Sequence, residues 1–313
     1  MSPPSSVPLP TAADLQAAAD RLQGRVRTTP VLDLAGAELG LPGRLLLKLE
    51  LTQHTGSFKA RGALNSLLVA GAGSDGVVAA SGGNHGAAVA WAAGSLGLTA
   101  TVFVPSTSPA AKIDRVRSFG ADVRVVEGYY PAAATAALEW AEHRDVLAVP
   151  AYDGFEVVCG QATVGMELLE QAPGVAAVVV GCGGGGLFSG TALAGADAFV
   201  VTPVEPDGCP TMSAALAAGR PVDVAVGGVA SDSMGAPLIG DTAFAVTRRL
   251  DTTSALVAGE EVLAARRWLW DRCRVLAEPG GVVALAGVMS GAVPCDGDVV
   301  VVVSGGNSAD VPA

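Results

Sequence analysis

A lysine within a run of small and polar residues is the first candidate for covalent chemistry. The run is Gln53-His54-Thr55-Gly56-Ser57-Phe58-Lys59-Ala60-Arg61-Gly62. A helix predicted from Ala60 places Lys59 near a helix start, where unpaired N–H groups favour a neutral amine over an ammonium. A neutral lysine amine can attack a carbonyl and form an imine. The alternative is an ordinary surface lysine whose aliphatic stem covers apolar surface.

A glycine-rich loop is the strongest candidate for binding an anion. It reads Gly181-Cys182-Gly183-Gly184-Gly185-Gly186 and lies between a predicted strand over 175–180 and a predicted helix from Leu187. Glycines let the backbone approach a phosphate, and the following helix start supplies N–H donors. The alternatives are a flexible turn, or the dinucleotide-binding pattern G-x-G-x-x-G with Glu205 as its ribose-binding acid. Two observations argue against a nicotinamide oxidoreductase: about half of the chain precedes this loop, and such an enzyme would leave Lys59 without a role.

Two further loops carry polar groups at the ends of predicted strands. Ser81-Gly82-Gly83-Asn84-His85-Gly86 follows the strand over 77–80, and its hydroxyl and N–H groups suit a carboxylate. Its alternative is helix capping by Ser81 or Asn84, with His85 a structural histidine. Ser304-Gly305-Gly306-Asn307 follows the strand over 298–303, and Ser304 can offer a neutral hydroxyl to a heterocyclic nitrogen. Its alternative is a simple turn at the end of the strand.

The elements that must position these loops alternate between strands and helices. Strands are predicted over 77–80, 99–104, 123–126, 146–149, 175–180, 199–204, 244–246 and 298–303, with helices between most of them. This alternation predicts parallel βαβ units, and the nearly unbroken apolar strands predict burial on both faces. We expect two α/β lobes with a cleft at the carboxyl ends of their strands, where ligands usually bind. The large lobe is assigned to 1–72 and 151–313, and the small lobe to 73–150.

Composition excludes several classes of partner. The net charge of −11 argues against nucleic acid, and no basic amphipathic stretch suggests a membrane surface. Residues 172–196 lack charge, but Pro173, Gly174 and the glycine run argue against one spanning helix. Residues 1–10 read as a loose tail and lack the features of a signal peptide. The five cysteines have no CxxC pairing, which argues against a zinc site or disulfide framework and predicts a cytoplasmic protein.

Taken together, these residues resemble the fold-type II pyridoxal-phosphate enzymes, in particular the group of serine/threonine dehydratases and serine racemases. The resemblance extends over about 15–307, and its marks appear in the family's order: 53–62, 81–86, 160–163, 183–186, Glu205-Pro206, Glu278-Pro279-Gly280 and 304–307. It implies two open, twisted, mostly parallel sheets flanked by helices, with the active site in the cleft between the lobes.

The resemblance also implies the cofactor, pyridoxal 5′-phosphate, and the residues that hold it. Lys59 would bind it covalently and Phe58 would pack beside its ring. Asn84 would bind the ring 3′-oxygen, Ser304 the pyridine nitrogen, and Glu278 would lie near the ring edge. The phosphate would be held by Gly183, Gly184, Gly185, Gly186 and the N–H of Leu187.

The implied reaction is loss of water from a β-hydroxy amino acid of the threonine or serine type, giving a 2-oxo acid and ammonia. Lys59 would be the base at Cα, with Ser81 as a second catalytic residue. The substrate carboxylate would face Ser81, Gly83, Asn84 and His85. A neutral Ser304 should leave the pyridine nitrogen unprotonated and favour prompt loss of the β-group. Alternatives are a β-replacement synthase on the same fold, the nicotinamide oxidoreductase, and a scaffold that binds the cofactor without turnover.

Two positions depart from the pattern of related enzymes. Racemases of the group have a serine where this chain has Gly82, so we expect little or no racemisation. Related enzymes hold a cation with an acid at the position of Glu205 and a second acid about six residues later. The second position is Thr211 in this chain, so the cation site is incomplete and no metal is assigned. The resemblance further suggests a homodimer, hinges near residues 73 and 150, and no regulatory domain after residue 313.

Overall fold

The strands of the protein form two separate sheets. The computed structural model describes residues 7–71, 75–308 and 310–312. Within these ranges the strands are Val31–Ala35 (β1), Arg44–Lys48 (β2), Gly76–Ala80 (β3), Ala100–Pro105 (β4), Asp122–Val126 (β5), Val146–Ala148 (β6), Ala177–Gly181 (β7), Val200–Pro206 (β8), Ala255–Val257 (β9) and Val299–Val302 (β10). One sheet has the order β1-β2-β10-β7-β8-β9 and the other β5-β4-β3-β6.

Helices connect the strands and cover both sheets. In the described part of the chain they are Ala12–Leu22 (α1), Lys59–Ala70 (α2), Asn84–Ser95 (α3), Ala110–Ser118 (α4), Tyr130–Ala141 (α5), Phe155–Gln171 (α6), Gly186–Ala194 (α7), Thr211–Ala218 (α8), Ser231–Met234 (α9), Asp241–Leu250 (α10), Gly259–Cys273 (α11) and Val283–Met289 (α12). Short 3-10 turns occur at Gly36–Leu39, Glu50–Thr52, His54–Gly56 and Pro279–Val282.

All strand pairs in both sheets are parallel except β1 with β2, which is antiparallel. The predicted fold class, two mostly parallel sheets flanked by helices, is therefore confirmed. The lobe boundaries stay a prediction, and residues 72–74, where one boundary and one hinge were placed, lie outside the described residues.

The apolar strands of the larger sheet are buried on both faces, as parallel strands in this class usually are. Along β10, Val299 and Val301 belong to one core cluster while Val300 and Val302 belong to another on the opposite face. The same alternation divides the apolar residues of β2 and β7. Because successive side chains of a strand point to opposite faces, an all-valine strand holds two helical layers against one sheet.

One predicted element is wrong and another was missed. The expected strand over 244–246 lies inside α10, whose buried residues include Ala243 and Val246 at helical spacing. The real edge strand is β9, a few residues later. Three apolar residues cannot distinguish a strand from one buried turn of a helix, so tertiary packing decided this segment.

The uncharged stretch over 172–196 is divided between β7, the glycine loop and α7, as predicted. No helix within the described ranges combines the length and apolar character needed to cross a membrane.

Candidate active site

Loops from the carboxyl ends of β3, β7 and β10 meet the start of α2 around one cavity. The ten residues assigned to a cofactor from the sequence all line it: Phe58, Lys59, Asn84, Gly183, Gly184, Gly185, Gly186, Leu187, Glu278 and Ser304. These residues are brought together from separate parts of the chain because parallel strands place their carboxyl ends at one edge of each sheet. Their individual roles toward a cofactor stay predictions.

Lys59 belongs to the lining of this cavity. It is the first residue of α2, and its Nζ donates a hydrogen bond to the carbonyl of Ala151 at 2.6 Å. The same nitrogen lies 5.1 Å from the centroid of the Phe58 ring. Burial lowers the pKa of Lys59 from 10.5 to about 8, because desolvation disfavours the ammonium form. At pH 7 about a tenth of the amine is therefore neutral and nucleophilic, a far larger share than for an exposed lysine.

The glycine loop has the geometry of an anion cradle. Gly185 precedes α7 with φ +89°, in the left-handed region that favours glycine. A Cβ at Gly184 would lie 2.2 Å from the Tyr152 ring, and a Cβ at Gly186 would lie 2.6 Å from the Tyr152 carbonyl oxygen. Side chains are thus excluded at Gly184 and Gly186. The first N–H groups of α7 lack intrahelical partners. The loop and the helix start can together bind a phosphate.

The Ser81 loop joins β3 to α3 beside this cavity. The Ser81 hydroxyl accepts a hydrogen bond from the Gly83 N–H at 3.1 Å, and Asn84 begins the helix. Of the four residues predicted to face a substrate carboxylate, Asn84 lines the cavity, whereas Ser81, Gly83 and His85 do not. The roles of Ser81 and Gly83 stay predictions.

The His85 ring is buried and bonded to the backbone that follows β6. Its Nε2 lies 2.9 Å from the Val149 carbonyl oxygen, and since a carbonyl only accepts, this nitrogen carries the proton. Burial, aided by the nearby charge of Lys59, lowers the pKa of His85 to about 4, so the ring is neutral. Nε2 is thus engaged with the backbone, and the role of His85 toward a substrate stays a prediction.

Three polar side chains form a hydrogen-bonded chain that starts at the cavity lining. The Asn84 amide nitrogen donates to Glu278 Oε1, and the Asn307 amide nitrogen donates to Asn84 Oδ1 at 2.6 Å. Burial raises the pKa of Glu278, and its other oxygen, Oε2, is buried without a hydrogen-bond partner. A buried unsatisfied oxygen costs free energy, so a ligand that supplies a donor here would be stabilised.

Sequence reasoning left several lining residues unassigned. Tyr152, Ser233, Met234, Gly181 and Gly280 also line the cavity. Tyr152 was one of three tyrosines considered for the substrate side, and its ring packs directly on Gly184. Ser233 and Met234 belong to the four-residue helix α9, whose sequence gives no periodic signal.

These observations fit pyridoxal 5′-phosphate. The cradle at the start of α7 suits its phosphate, the Lys59 amine its aldehyde, and the Ser304 hydroxyl a ring nitrogen. The unsatisfied Glu278 Oε2 belongs to the hydrogen-bonded chain that Asn84 and Asn307 complete. The groups for phosphate, aldehyde and ring nitrogen come from residues that face one cavity, as a single small cofactor requires.

Known proteins resemble this chain in sequence. Biosynthetic L-threonine dehydratase of Pasteurella multocida is 35% identical over 269 residues, covering 84% of this chain and 52% of its own length. L-threonine ammonia-lyase of Geobacter sulfurreducens is 36% identical, with 94% and 74% covered. Phenylserine dehydratase of Ralstonia pickettii is 36% identical, with 90% and 88% covered. The chain thus spans about half the length of the Pasteurella relative.

Solved structures and a family comparison agree with these relatives. The crystal structure of a threonine deaminase from T.th. superposes with a TM-score of 0.90 at 34% identity, covering 97% of this chain and 100% of that one. Maize serine racemase gives a TM-score of 0.88 at 29% identity, with 95% and 93% covered. The sequence profile of the family described as pyridoxal-phosphate dependent enzymes matches residues 22–305. This protein therefore belongs to the pyridoxal-phosphate dependent enzyme family.

Proposed function

We propose that this protein is an ammonia-lyase that removes water from a β-hydroxy amino acid and releases a 2-oxo acid and ammonia. The observation that carries the proposal is the position of the Lys59 amine, which shares one cavity with the glycine cradle, Asn84 and Ser304. Relatives that cover most of this chain are named threonine ammonia-lyase and phenylserine dehydratase. Family membership removes the nicotinamide oxidoreductase as an alternative.

The residues of the chain divide the work of the elimination. The neutral Lys59 amine, oriented by the Ala151 carbonyl, accepts the proton from the substrate Cα. The Ser81 loop and the start of α3 present N–H donors for the substrate carboxylate, which orients the Cα–H bond toward Lys59. The Lys59 ammonium then gives that proton to the hydroxyl group, which leaves Cβ as water. The resulting enamine takes up water and yields the 2-oxo acid and ammonia.

The cofactor supplies an electron sink for the charge released at Cα. Ser304, with its neutral hydroxyl, is the group assigned to the pyridine nitrogen, and it lines the same cavity as Lys59. A serine cannot hold a pyridine nitrogen in its protonated form as a carboxylate can. With Ser304 at that nitrogen the sink would be weaker, which would favour early loss of the Cβ hydroxyl over competing reactions at Cα.

Threonine and serine are the default substrates, and an aromatic substituent on Cβ is the main extension. Next to Ala151 lies a second cavity whose lining includes Tyr130, Pro150, Tyr152, Leu238 and Ile239. Asp153 and Asp241 also line it, which disfavours an anionic substituent. We therefore expect 3-hydroxyaspartate to be a poorer substrate than phenylserine.

A panel of amino acids tests the proposal. Purified protein loaded with pyridoxal 5′-phosphate should release ammonia and 2-oxo acid in equal amounts from threonine, serine or phenylserine. Borohydride reduction should attach the cofactor to the peptide that contains Lys59, and not to those containing Lys48 or Lys112. Lys59→Ala should abolish both results. Cofactor attachment without turnover of any hydroxy amino acid would identify a binding scaffold instead.

β-Replacement is the nearest rival reaction and needs a separate measurement. When a thiol is added to the serine assay, a synthase forms a thioether and stops releasing ammonia. For a lyase, the yield of ammonia per serine consumed stays at one.

We also propose that the protein is a cytoplasmic homodimer. The cysteines Cys159, Cys182, Cys209, Cys273 and Cys295 are all unpaired, which suits a reducing compartment. The dimer rests on the resemblance alone, and light scattering of the purified protein measures it directly.

A further inference from the structure

Glu205 is a buried acid that the proposed reaction does not use. It lies in the last part of β8 and is fully buried, directly behind the glycine loop. A buried carboxylate is tolerated only when hydrogen bonds or opposite charges replace its hydration. The described residues contain no cluster of three or more histidine, cysteine, aspartate or glutamate side chains that would hold a metal there.

Hydrogen bonds from the protein surround both oxygens of Glu205. Oε1 accepts from the Met212 N–H at 2.6 Å and from the Thr211 hydroxyl at 3.1 Å. Oε2 accepts from the N–H and the hydroxyl of Ser213 and from the Ser254 hydroxyl, each at 2.9 Å. A carboxylate offers about four lone-pair sites, so these five donors saturate it.

Thr211 connects this cage to the cofactor loop. Its hydroxyl also lies 2.7 Å from the Gly183 carbonyl oxygen, so a single proton is shared in a three-centre hydrogen bond. The next carbonyl of the loop, that of Gly184, accepts from the Gly240 N–H at 3.1 Å. Both carbonyls are thus bound by groups behind the loop, and the backbone is fixed in an orientation that leaves N–H groups to bind an anion.

A divalent cation does not fit this arrangement. Related enzymes hold one with two acids, but here the second position is Thr211 and the first acid has no free lone pair. Binding a cation would require breaking several of the hydrogen bonds to Glu205. Those include donors from the first turn of α8, whose N–H groups would lose their partners.

We propose that Thr211 is a positioning residue: anchored to Glu205, it orients the Gly183 carbonyl and with it the phosphate-binding loop. The donors around Glu205, from Thr211, Met212, Ser213 and Ser254, take the place of a divalent cation. This way of holding the cofactor loop serves elimination and replacement equally.

Matched variants of the holoenzyme test the role of Thr211. Thr211→Val removes the bond to Gly183 and should speed release of the cofactor on dilution about five- to tenfold, the effect of one hydrogen bond lost beside a buried carbonyl. Thr211→Ser keeps the hydroxyl and should restore wild-type release. The measurement is the absorbance of the bound cofactor after dilution.

Two controls separate positioning from general stability. Ser213→Ala removes one of the hydroxyls bonded to Glu205, and Ser213 makes no side-chain hydrogen bond to the glycine loop. This variant should lower Tm but leave cofactor release unchanged. Thr191→Val makes the same isosteric change at a buried hydroxyl without a hydrogen-bond partner, so it should leave cofactor release unchanged and should not lower Tm. Faster release in Ser213→Ala equal to that in Thr211→Val, or no change in Thr211→Val, would overturn the positioning role.

The wild-type holoenzyme tests the replacement of the cation. Its Tm and its cofactor release should be the same in EDTA and in millimolar magnesium or calcium chloride. A rise in Tm or slower release with either ion, reversed by EDTA, would show that a cation site exists and would refute this part of the proposal.

Discussion

At the scale of single residues, the environment of one amine sets the chemistry of the site. Lys59 is one of three lysines in the chain, and it is held in a partly buried position at the cavity. Desolvation alone lowers the pKa of Lys59 to about 8. Such a shift is typical of lysines that act as nucleophiles or bases.

This pKa predicts how cofactor uptake depends on pH. The amine of the apoprotein becomes neutral as pH rises through about 8, so the rate of cofactor attachment should increase between about pH 7 and 9. In the unfolded chain Lys59 titrates near 10.5, so between 8 and 10.5 the unfolded state binds more protons. The contribution of Lys59 to the free energy of unfolding therefore rises with pH in that window. Stopped-flow absorbance measures uptake, and a flat profile would contradict the prediction.

The resemblance to racemases assigns position 82 to a second acid that would reach the substrate. Gly82 has no proton to donate, so we expect the holoenzyme not to interconvert L- and D-serine. A Cβ at this position would lie 2.3 Å from the Ser108 hydroxyl oxygen and 2.8 Å from a Val104 methyl carbon. Ser108 and Val104 thus occupy the space that a serine side chain would need.

Gly82→Ser should consequently cost stability. Overpacking of this kind lowers the free energy of unfolding by about 1 to 3 kcal/mol. Adding Ser108→Gly removes the closest atom and should recover part of the loss. Urea unfolding of the two variants checks this, with Ser108→Gly alone as the reference. Equal stability of wild type and Gly82→Ser would show that the neighbouring side chains move aside at no cost.

At the scale of elements, a buried ionic network fixes the helix that presents Lys59. Arg61, two residues into α2, makes paired hydrogen bonds to Glu50 at 2.8 and 2.7 Å and a third to Glu167 of α6 at 2.6 Å. Lys48 of β2 completes the network with a bond to Glu167. Burial opposes ionisation of Glu50, but Arg61 and Lys48 hold its pKa below the usual range. Strand, loop and two helices are thereby joined behind Lys59.

Removing one charge from this network should be strongly destabilising. Glu50→Gln leaves Arg61 buried with an uncompensated charge, which typically lowers the free energy of unfolding by about 3 to 5 kcal/mol. Glu38→Gln, at an exposed position, makes the same chemical change and should have little effect. Urea midpoints of the two variants provide the comparison, and similar midpoints would mean that the network adds little.

At the scale of the whole molecule, contacts across the cleft join a helix beside the smaller sheet to segments beside the larger sheet. Lys112 of α4, beside the smaller sheet, forms an ion pair with Asp232 of α9, beside the larger one. Arg115 of α4 donates to the carbonyl oxygen of Thr55 at 3.0 Å, within the run of residues that leads to Lys59. Substrate must pass this boundary, and clefts of this kind usually close over the ligand.

Weakening the ion pair should therefore affect substrate binding more than folding. Asp232→Asn should raise KM about two- to fivefold, the effect of a partly exposed pair worth up to about 1 kcal/mol, with little change in Tm. Asp197→Asn, at an exposed position on the larger lobe, should change neither. Steady-state kinetics on the best substrate of the panel measure this. An unchanged KM, or a KM rise matched by Asp197→Asn, would exclude a role in closure.

The sequence by itself determined the fold class and ten of the residues that line the cavity. Apolar runs, strand-to-helix alternation and glycine-rich turns are local signals. Each site loop could be recognised because its reactive or binding residues lie next to one another in the sequence, around Lys59, Gly183 and Ser304. Their order along the chain then matched one family. The same local signals placed α1 at its capping box, which the structure contains.

Only the tertiary structure decided what depends on atoms far apart in the chain. The placement of α10 and β9, the burial of the His85 ring against Val149, and the packing of Tyr152 on Gly184 all result from such contacts. So does the saturation of Glu205 by residues 211–213 and 254. The physical reason is that burial, pKa and hydrogen-bond satisfaction are set by which surfaces meet when the layers pack, and short sequence patterns do not contain that information.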